Sequence, residues 1–512
     1  MTRISRVSHH APARPRPAAR RALVLGLALL ATAGALAAAP VITGLSEPSL
    51  DRSGRLRVFG TGFEGSGEVW IDGAPAIVAE WSDTAINAYV PETAGPGVVG
   101  VQVVNASGAS NVELLDVTLR QPVGQRLWRF TCDSRGVRQR VGVGPDGSIY
   151  AQDTSGLLYA LSPDGGLQWL VDTGDEGSEG PVVVGADGTV YVSVNPLGPD
   201  TQVRAYAADG TPLWTFTTTG GQGIIAGPGV GPDGNIYGVI DGGGIGAFSL
   251  DPQGQLRWSH VGDPPINEIG QLGQEIAFGA DRFYVGFDDG GTNPTSLLYG
   301  FGFDGDQLFA VPRPDDPNQP MVGPEGNVYL QVWGAGSGIR LGAYDPDGSL
   351  LWTAFESPTN TLSHPWVTAG GLIYAVRNLQ ELWQVDSDGT ATLLVSGVDG
   401  NYLGPVATPD GSLVLTTGTI VGQNGIVRAF TPAGELVWEE QIPLENGNVA
   451  IPSARALIPG DGATAYLPVE PLSNPEDDLR CFVYAFATGS PNGIFADGFE
   501  SGDTSAWSST MP

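Results

Sequence analysis

Apolar and polar residues alternate along most of the chain in short runs, and each run is bounded by Gly, Pro, Asn or Asp. A period of two is typical of half-buried strands, so this pattern favours an all-β fold. Between residues 40 and 120 the clearest runs are Leu56–Phe59, Glu68–Ile71, Ala85–Val90 and Val98–Val104. Strands of this length and spacing predict a β-sandwich.

From about residue 125 to 490 the pattern repeats itself. Each repeat holds a strand, a Gly-containing turn and a second strand that usually ends in Tyr, as in Gly144-Pro145-Asp146-Gly147-Ser148-Ile149-Tyr150. The eight copies end at Tyr150, Tyr191, Tyr237, Tyr284, Tyr329, Tyr374, Val414 and Tyr466. A period of about 45 residues is typical of a four-stranded propeller blade.

A second strand pair follows in every repeat, with a Gly turn and an aromatic residue near the middle of its last strand. This position is filled by Trp128, Trp169, Trp214, Trp258, Trp352 and Trp438, and by Phe309 and either Leu393 or Leu394 in two repeats. Eight such strands predict an eight-bladed β-propeller, with seven blades as the alternative. Trp128 precedes the first complete repeat, so we expect Leu127–Thr131 to complete the last blade and close the ring.

The same alignment bears on the two cysteines of the chain. It places Cys132 and Cys481 opposite each other, just beyond the paired strands of the closing blade. We therefore predict a disulfide bond between them, with two buried free thiols as the alternative.

The N-terminal module has a resemblance that covers residues 40–120. Val58-Phe59-Gly60-Thr61-Gly62-Phe63, Val69-Trp70-Ile71-Asp72-Gly73 and the stretch from Gly100 to Gly108 occur in the order found in the IPT/TIG family of immunoglobulin-like domains. The resemblance implies an immunoglobulin-like sandwich that acts as a spacer or adhesion module.

Residues 125–490 resemble the PQQ-like repeats of bacterial quinoproteins and of related outer-membrane assembly factors, through the Asp-Gly-Tyr element and the later Trp. In that family the repeated Trp packs between blades, which implies a structural role for the six tryptophans named above. Quinone-using members hold Ca²⁺ with Glu, Asn and Asp, and many carry a disulfide between adjacent cysteines. This chain has no adjacent cysteines and no such ligand set at matching positions, so we expect no cofactor.

The two ends of the chain carry segments outside these modules. Arg20-Arg21, the apolar run Ala22–Ala37 and Ala38-Ala39-Pro40 predict a cleaved export signal over residues 1–39, with an uncleaved anchor as the alternative. The C-terminal tail, residues 491–512, has a DGFESGD core that resembles short terminal segments of exported proteins of Gram-negative bacteria. We expect it to be either a sorting tag or an additional strand.

The formal net charge of −31 disfavours nucleic acids and anionic membrane surfaces as partners. We expect no transmembrane helix in the mature chain and a monomer. Paired acids in the irregular connections, including the expected inter-blade link from Pro312 to Gln319, make calcium a possible ligand, with a solvated acidic surface as the alternative. The candidates are Asp175, Glu176, Asp288, Asp289, Asp315, Asp316, Glu476, Asp477 and Asp478.

The sequence predicts no catalytic constellation. His260 and His364 read as loop residues, and the inner strands are rich in Gly, Val, Ala and Pro, as in Gly180–Val184 and Gly404–Ala407. We therefore expect an exported non-enzymatic binding or scaffold protein, secreted or at the cell surface, that binds a protein or glycan through the irregular loop face of the propeller. The alternatives are a polysaccharide-acting or quinone-dependent enzyme in the propeller funnel, and a periplasmic scaffold for outer-membrane assembly.

Overall fold

A computed structural model describes most of the chain between residues 38 and 489. The residues left out of this range are 135, 138–139, 175–179, 197–199, 219–222, 242–245, 262–275, 288–295, 314, 335–337, 358–360, 400–402, 417–424, 444–449, 461 and 472–479. No helix in the described part is long and apolar enough to cross a membrane.

The N-terminal module is a β-sandwich of two sheets. One sheet has the strand order β1-β3-β7-β6 and the other has the order β2-β10-β8-β4-β5, with β9 paired to β8. The strands are β1 Val41–Leu45, β2 Ser49–Asp51, β3 Arg55–Thr61, β4 Glu68–Ile71, β5 Ala74–Pro75, β6 Ile77–Trp81, β7 Ala85–Tyr89, β8 Gly97–Asn105, β9 Gly108–Ala109 and β10 Glu113–Thr118.

The alternation seen in the sequence fills the space between these sheets. Leu56 and Val58 of β3 are fully buried, as are Val101 and Val103 of β8, while the residues between them reach the surface or its margin. The apolar positions of both sheets form one core.

The rest of the described chain forms eight four-stranded antiparallel sheets, and these are the blades of a β-propeller. In chain order the strand β11, Arg126–Thr131, comes before blade 1, although it belongs to the last of these sheets. Blade 1 is β12 Gly142–Val143, β13 Ile149–Gln152, β14 Leu157–Leu161 and β15 Leu167–Asp172; blade 2 is β16 Val183–Val184, β17 Val190–Val194, β18 Gln202–Tyr206 and β19 Pro212–Thr217; blade 3 is β20 Gly223–Val230, β21 Ile236–Asp241, β22 Gly246–Leu250 and β23 Leu256–Val261; blade 4 is β24 Ala277–Phe278, β25 Arg282–Phe287, β26 Ser296–Gly302 and β27 Gln307–Arg313.

The second half of the ring continues the same order. Blade 5 is β28 Asp315–Val322, β29 Val328–Gly334, β30 Gly338–Tyr344 and β31 Leu350–Ala354; blade 6 is β32 Trp366–Val367, β33 Ile373–Arg377, β34 Glu381–Val385 and β35 Ala391–Ser396; blade 7 is β36 Val406–Ala407, β37 Leu413–Thr416, β38 Ile426–Phe430 and β39 Leu436–Gln441; blade 8 contains β40 Ala450–Pro452, β41 Thr464–Pro471 and β42 Phe482–Ala487. First strands of successive blades touch one another, as β12 touches β16, so they form the inner wall of the ring.

The ring closes through β11. This strand pairs antiparallel with β42, with Trp128 opposite Ala485 and Thr131 opposite Phe482, and so becomes the outer strand of blade 8. The predicted closure is confirmed, and the described sheets number eight rather than seven.

The repeated Asp-Gly motif forms the turn between the first and second strands. In blade 1 the Gly144 amide donates to the Ser148 carbonyl at 2.8 Å, and Asp146 Oδ1 accepts from the Ser148 amide at 3.0 Å. Gly147 has a φ of 82°, which glycine adopts without strain. The same aspartate contact recurs in blades 2 and 3.

The large residue of each outer strand reaches toward the next blade. Trp169 of blade 1 donates from Nε1 to the Ala208 carbonyl of blade 2 at 2.8 Å and lies over Gly210. Phe309 and Leu394 occupy the corresponding places over Gly348 and Gly434. The other indole donors and their acceptors are Trp128 to Pro163, Trp214 to Pro252, Trp258 to Phe303, Trp352 to Ser387 and Trp438 to Thr488.

The prediction of one link between blades is wrong. The stretch from Pro312 to Gln319 was expected to be an inter-blade link, but β27 runs to Arg313 and β28 begins at Asp315. Asp315 and Asp316 pair through their backbones with Gly334 and Trp333 of the long strand β29. Cross-strand hydrogen bonds therefore override a polar, proline-rich composition that is typical of loops.

Candidate functional site

The described residues do not show whether the predicted calcium ligands lie close together. Asp175, Glu176, Asp288, Asp289, Glu476, Asp477 and Asp478 lie outside them, and only the backbones of Asp315 and Asp316 are described. Among the residues that the structure does describe, no three His, Cys, Asp or Glu side chains are grouped in a way that could hold a metal ion. Calcium binding stays a prediction.

The two cysteines lie beside each other where the ring closes. The Cys132 amide donates to the Cys481 carbonyl at 2.9 Å, and the Cys481 amide donates to the Ser134 carbonyl at 2.7 Å. Both side chains are fully buried, and burial raises the pKa of each thiol. The disulfide itself stays a prediction.

The inner wall of the ring holds a charged side chain that the sequence did not reveal. Arg455 of blade 8 donates from Nε to the Leu403 carbonyl of blade 7 at 2.9 Å, and its guanidinium carbon lies 5.7 Å from the centre of the Trp366 ring of blade 6. Its Nη1 also lies 3.6 Å from Met321 Sδ of blade 5. The side chain therefore spans the inner ends of four blades, and we call Met321, His364, Trp366, Leu403 and Arg455 the inner cluster.

His364 is the titratable member of the inner cluster. Burial, with a smaller contribution from the charge of Arg455, lowers its pKa to about 3. An imidazole with such a pKa stays neutral near pH 7 and is a weak base, so it is poorly suited to general acid or base catalysis. His260 lies within strand β23, so its expected place in a loop is wrong, and its ring meets Phe301 of blade 4 edge-on with 5.9 Å between the ring centres.

The quinone and Ca²⁺ that quinone-using members of the PQQ-like family hold do not fit the inner cluster. Calcium requires several oxygen ligands, usually including carboxylates. The charged group that the described inner cluster presents is instead the guanidinium of Arg455, which repels a cation.

The second place with buried charged side chains is the contact between the sandwich and blades 8 and 1, which we call the module joint. Its apolar part joins Tyr89 of β7 to Phe130 of β11 and Tyr159 of β14 in one continuous core. The Tyr89 and Phe130 rings stack at 5.3 Å, and Tyr159 meets Phe130 edge-on at the same distance. Ile77 and Ala79 of β6 add to this packing.

The centre of the module joint is a buried ion pair. Arg55 of the sandwich contacts Asp133, and the two side chains are only 7% and 8% exposed. Asn87 Nδ2 also donates to Asp133 at 3.3 Å, and the Asp133 amide donates to the Tyr159 hydroxyl at 2.9 Å. That hydroxyl in turn donates to Asp153 at 2.7 Å, and burial raises the pKa of this carboxyl.

A second polar group in the module joint ties the sandwich to the turn of blade 1. Arg120 binds both carboxylate oxygens of Glu92 at 2.6 and 2.9 Å, and its Nε donates to the Asp164 carbonyl at 3.0 Å. Ser53 Oγ donates to Glu92 at 2.6 Å and accepts from the Leu167 amide at 2.7 Å. Burial opposes the charge of Glu92, but the bonds from Arg120 and Ser53 outweigh it and lower its pKa. These contacts fix the sandwich against the outer edge of the ring.

Two family models match the chain. Residues 40–118 match the IPT/TIG domain, and residues 113–290 match the model described as outer membrane protein assembly factor BamB. No curated protein matches the chain significantly.

Solved structures resemble this chain at low identity and with TM-scores below 0.5. BamB from Moraxella catarrhalis is 13% identical, with a TM-score of 0.48 and coverage of 71% of this chain and 98% of that one. A quinohemoprotein alcohol dehydrogenase from Pseudomonas putida is 14% identical, with a TM-score of 0.47 and coverage of 72% and 77%. Sqt1 from Saccharomyces cerevisiae is 11% identical, with a TM-score of 0.46 and coverage of 71% and 99%.

Proposed function

We propose that this chain, which joins an IPT/TIG domain to a PQQ-like β-propeller, is an exported scaffold that binds a protein or glycan without chemical turnover and without a cofactor. The observation that supports a scaffold is the module joint. A spacer needs no fixed orientation relative to its neighbour, whereas here the buried pair of Arg55 and Asp133 and a shared aromatic core fix one. A fixed orientation suits a platform that presents two surfaces at a constant distance.

The propeller face opposite the Asp-Gly turns is the proposed binding surface. Its connections between second and third strands differ in length from blade to blade. Asp153–Gly156 in blade 1 and Asn378–Gln380 in blade 6 are tight turns, whereas blade 2 uses the longer stretch 195–201. Variable loops on a regular scaffold are where binding specificity is usually placed, because their sequences can change without disturbing the core.

A periplasmic role in outer-membrane assembly is the second candidate. The match of residues 113–290 to the BamB family model favours it. In that case the partner is a protein of the envelope and the site of action is the periplasm, rather than the cell surface or the exterior.

Site-specific photocrosslinking tests the proposed surface. A benzoylphenylalanine placed at Asn195, which is exposed in the variable connection of blade 2, reports on the proposed face, and one at Gln253, in a regular turn of blade 3, is the matched control. With an envelope fraction or a polysaccharide array as the source of ligand, we expect crosslinks or binding that depend on position 195 and not on position 253. Equal capture from both positions would contradict the assignment of the face.

The ligand that is captured in this experiment distinguishes the two candidate roles from each other, and an activity assay of the purified protein distinguishes both from an enzyme. Capture of an outer-membrane assembly protein favours the periplasmic role, and capture of a glycan favours a surface or secreted role. Turnover of polysaccharide, or of an alcohol in the presence of added quinone and Ca²⁺, by the purified protein would overturn the proposal of a scaffold.

A further inference from the structure

A cavity of about 310 Å³ lies beside the module joint, between the sandwich and blades 7 and 8. We call it the arginine cleft. It is lined by Leu50, Asp51, Arg52, Ser53, Gly54, Arg55, Arg120, Gln121, Arg126, Trp128, Arg129, Thr131 and Pro443. Five of these residues are arginines and one is an acid, although the whole chain has 24 basic and 55 acidic residues.

Two of the five arginines have carboxylate partners inside the protein. Arg55 is paired with the buried Asp133, and Arg120 is bound at both terminal nitrogens by Glu92. These pairs belong to the module joint and position the wall of the cleft.

Arg52 and Arg126 are placed differently. Arg52 uses Nε to donate to the Ala94 carbonyl at 2.7 Å, and its two terminal nitrogens bond to no described residue. The guanidinium of Arg126 lies 6.0 Å from the centre of the Tyr484 ring and forms no hydrogen bond or ion pair within the described part of the chain. Both residues are half-buried and line the cleft.

The remaining charges around the cleft do not cancel this positive potential. Arg129 is exposed beside the opening, with its guanidinium 5.2 Å from the centre of the Phe482 ring. Asp51 accepts a hydrogen bond from Thr118, and Glu440, which is not part of the lining, accepts from the Gln125 amide at 3.3 Å. Arg52 and Arg126 therefore outnumber the one acid on the lining, once the other arginines are set aside.

We propose that the arginine cleft binds a small polyanion that carries two or more carboxylate or phosphate groups. Arginine presents planar pairs of donors that match the oxygens of either group, so both are one ligand chemistry for this site. Like charges on the lining of one cavity repel one another, and an oxyanion bound between Arg52 and Arg126 would relieve that repulsion. This site is separate from the loop face proposed above, and it contacts both modules.

Citrate and pyrophosphate are suitable probes, because one offers carboxylates and the other phosphates. Binding is measured by calorimetric titration of the full chain at pH 7.5, with KCl added to keep the ionic strength constant. The test variant is R52Q/R126Q, which keeps the Arg55 and Arg120 pairs. The control is R282Q, which removes an arginine of blade 4 that forms surface ion pairs with Asp281 of the same blade and Asp347 of blade 5.

We expect the wild-type chain and R282Q to bind at least one probe with the same affinity, and R52Q/R126Q to bind it at least tenfold more weakly. Unchanged near-UV circular dichroism and an unchanged melting temperature without ligand show that the double variant is folded. Binding of citrate alone assigns a carboxylate ligand, and binding of pyrophosphate alone assigns a phosphate ligand. The proposal is overturned if neither probe gives heat with the wild-type chain, or if R52Q/R126Q binds as tightly as R282Q.

Discussion

Single glycines decide how closely neighbouring blades approach. Gly254 has a φ of 78°, and a Cβ atom at this position would lie 2.5 Å from the Trp214 ring of the preceding blade. Gly397 has the same φ, but a Cβ there would meet no atom within 4 Å. Gly254→Ala therefore adds a steric clash to a backbone strain that Gly397→Ala shares.

We expect Gly397→Ala to lower the free energy of unfolding by about 1 kcal/mol and Gly254→Ala to lower it by about 2 kcal/mol more. Urea unfolding followed by tryptophan fluorescence measures both. Equal losses in the two variants would mean that the indole moves aside and that the contact between blades contributes little.

The neutral His364 makes stability depend on pH. Its pKa is about 3 in the folded chain and 6.5 when exposed, so between these values the unfolded chain binds a proton that the folded chain does not. The free energy of unfolding therefore falls as the pH drops below 6.5, at a rate of at most about 1.4 kcal/mol per pH unit from this residue.

His364→Leu removes this titration, and we expect the variant to lose less stability than the wild-type chain between pH 6.5 and pH 4.5. The measurement compares the urea midpoints of the wild-type chain and the variant at several values of pH. The difference between them reports the titration of His364 alone, because all other titratable groups are common to both proteins. Parallel pH profiles would show that His364 has the same pKa in the folded and the unfolded chain.

At the scale of strands, closure of the ring depends on the pairing of β11 with β42, and a disulfide would make that pairing permanent. In an oxidising compartment we expect no free thiol in the denatured, unreduced protein and two after reduction. In the chain-entropy model a bond across so long a loop stabilises the fold by roughly 5 kcal/mol, so reductant should lower the melting temperature of the wild-type chain. Cys132→Ser/Cys481→Ser should show no such response, and two free thiols before reduction would disprove the bond.

The blades and their closure could be predicted because local signals specify them. The Asp-Gly turns and the spaced Tyr and Trp residues mark each repeat, and Trp128 shows where the extra strand belongs. The strand at Asp315–Val322 could not be predicted, because its polar residues pair with β29 and the composition of the segment does not reveal that pairing.

The charged clusters could be predicted only in part. His364 and Arg455 occupy related places in the repeat, ten residues before Tyr374 and eleven before Tyr466, but one extra residue in blade 8 shifts the alignment. The arginine cleft joins Arg52 to Arg126 from different modules, and no local period connects such distant positions.

At the scale of the whole molecule, removing one partner of the buried ion pair in the module joint should lower the free energy of unfolding far more than removing one partner of a surface ion pair. Arg55→Met leaves the Asp133 carboxylate, which is 8% exposed, without its cation. We expect a loss of roughly 3 kcal/mol in urea unfolding, because an unpaired buried charge is costly. Arg282→Met breaks pairs with Asp281 and Asp347, which are 73% and 85% exposed, and should cost less than about 1 kcal/mol.

The sandwich should in turn protect the closing blade of the propeller. Its own core is complete without the ring, so we expect residues 38–118 alone to fold and to unfold cooperatively. The remaining chain would expose Phe130 and Tyr159, whose ring partner Tyr89 belongs to the sandwich. We therefore expect the propeller alone to melt at a lower temperature and to bind a hydrophobic dye, and adding the separate sandwich should partly reverse both effects. A propeller that melts at the temperature of the full chain would show that the module joint sets orientation only, and that β11 holds the ring closed without help from the sandwich.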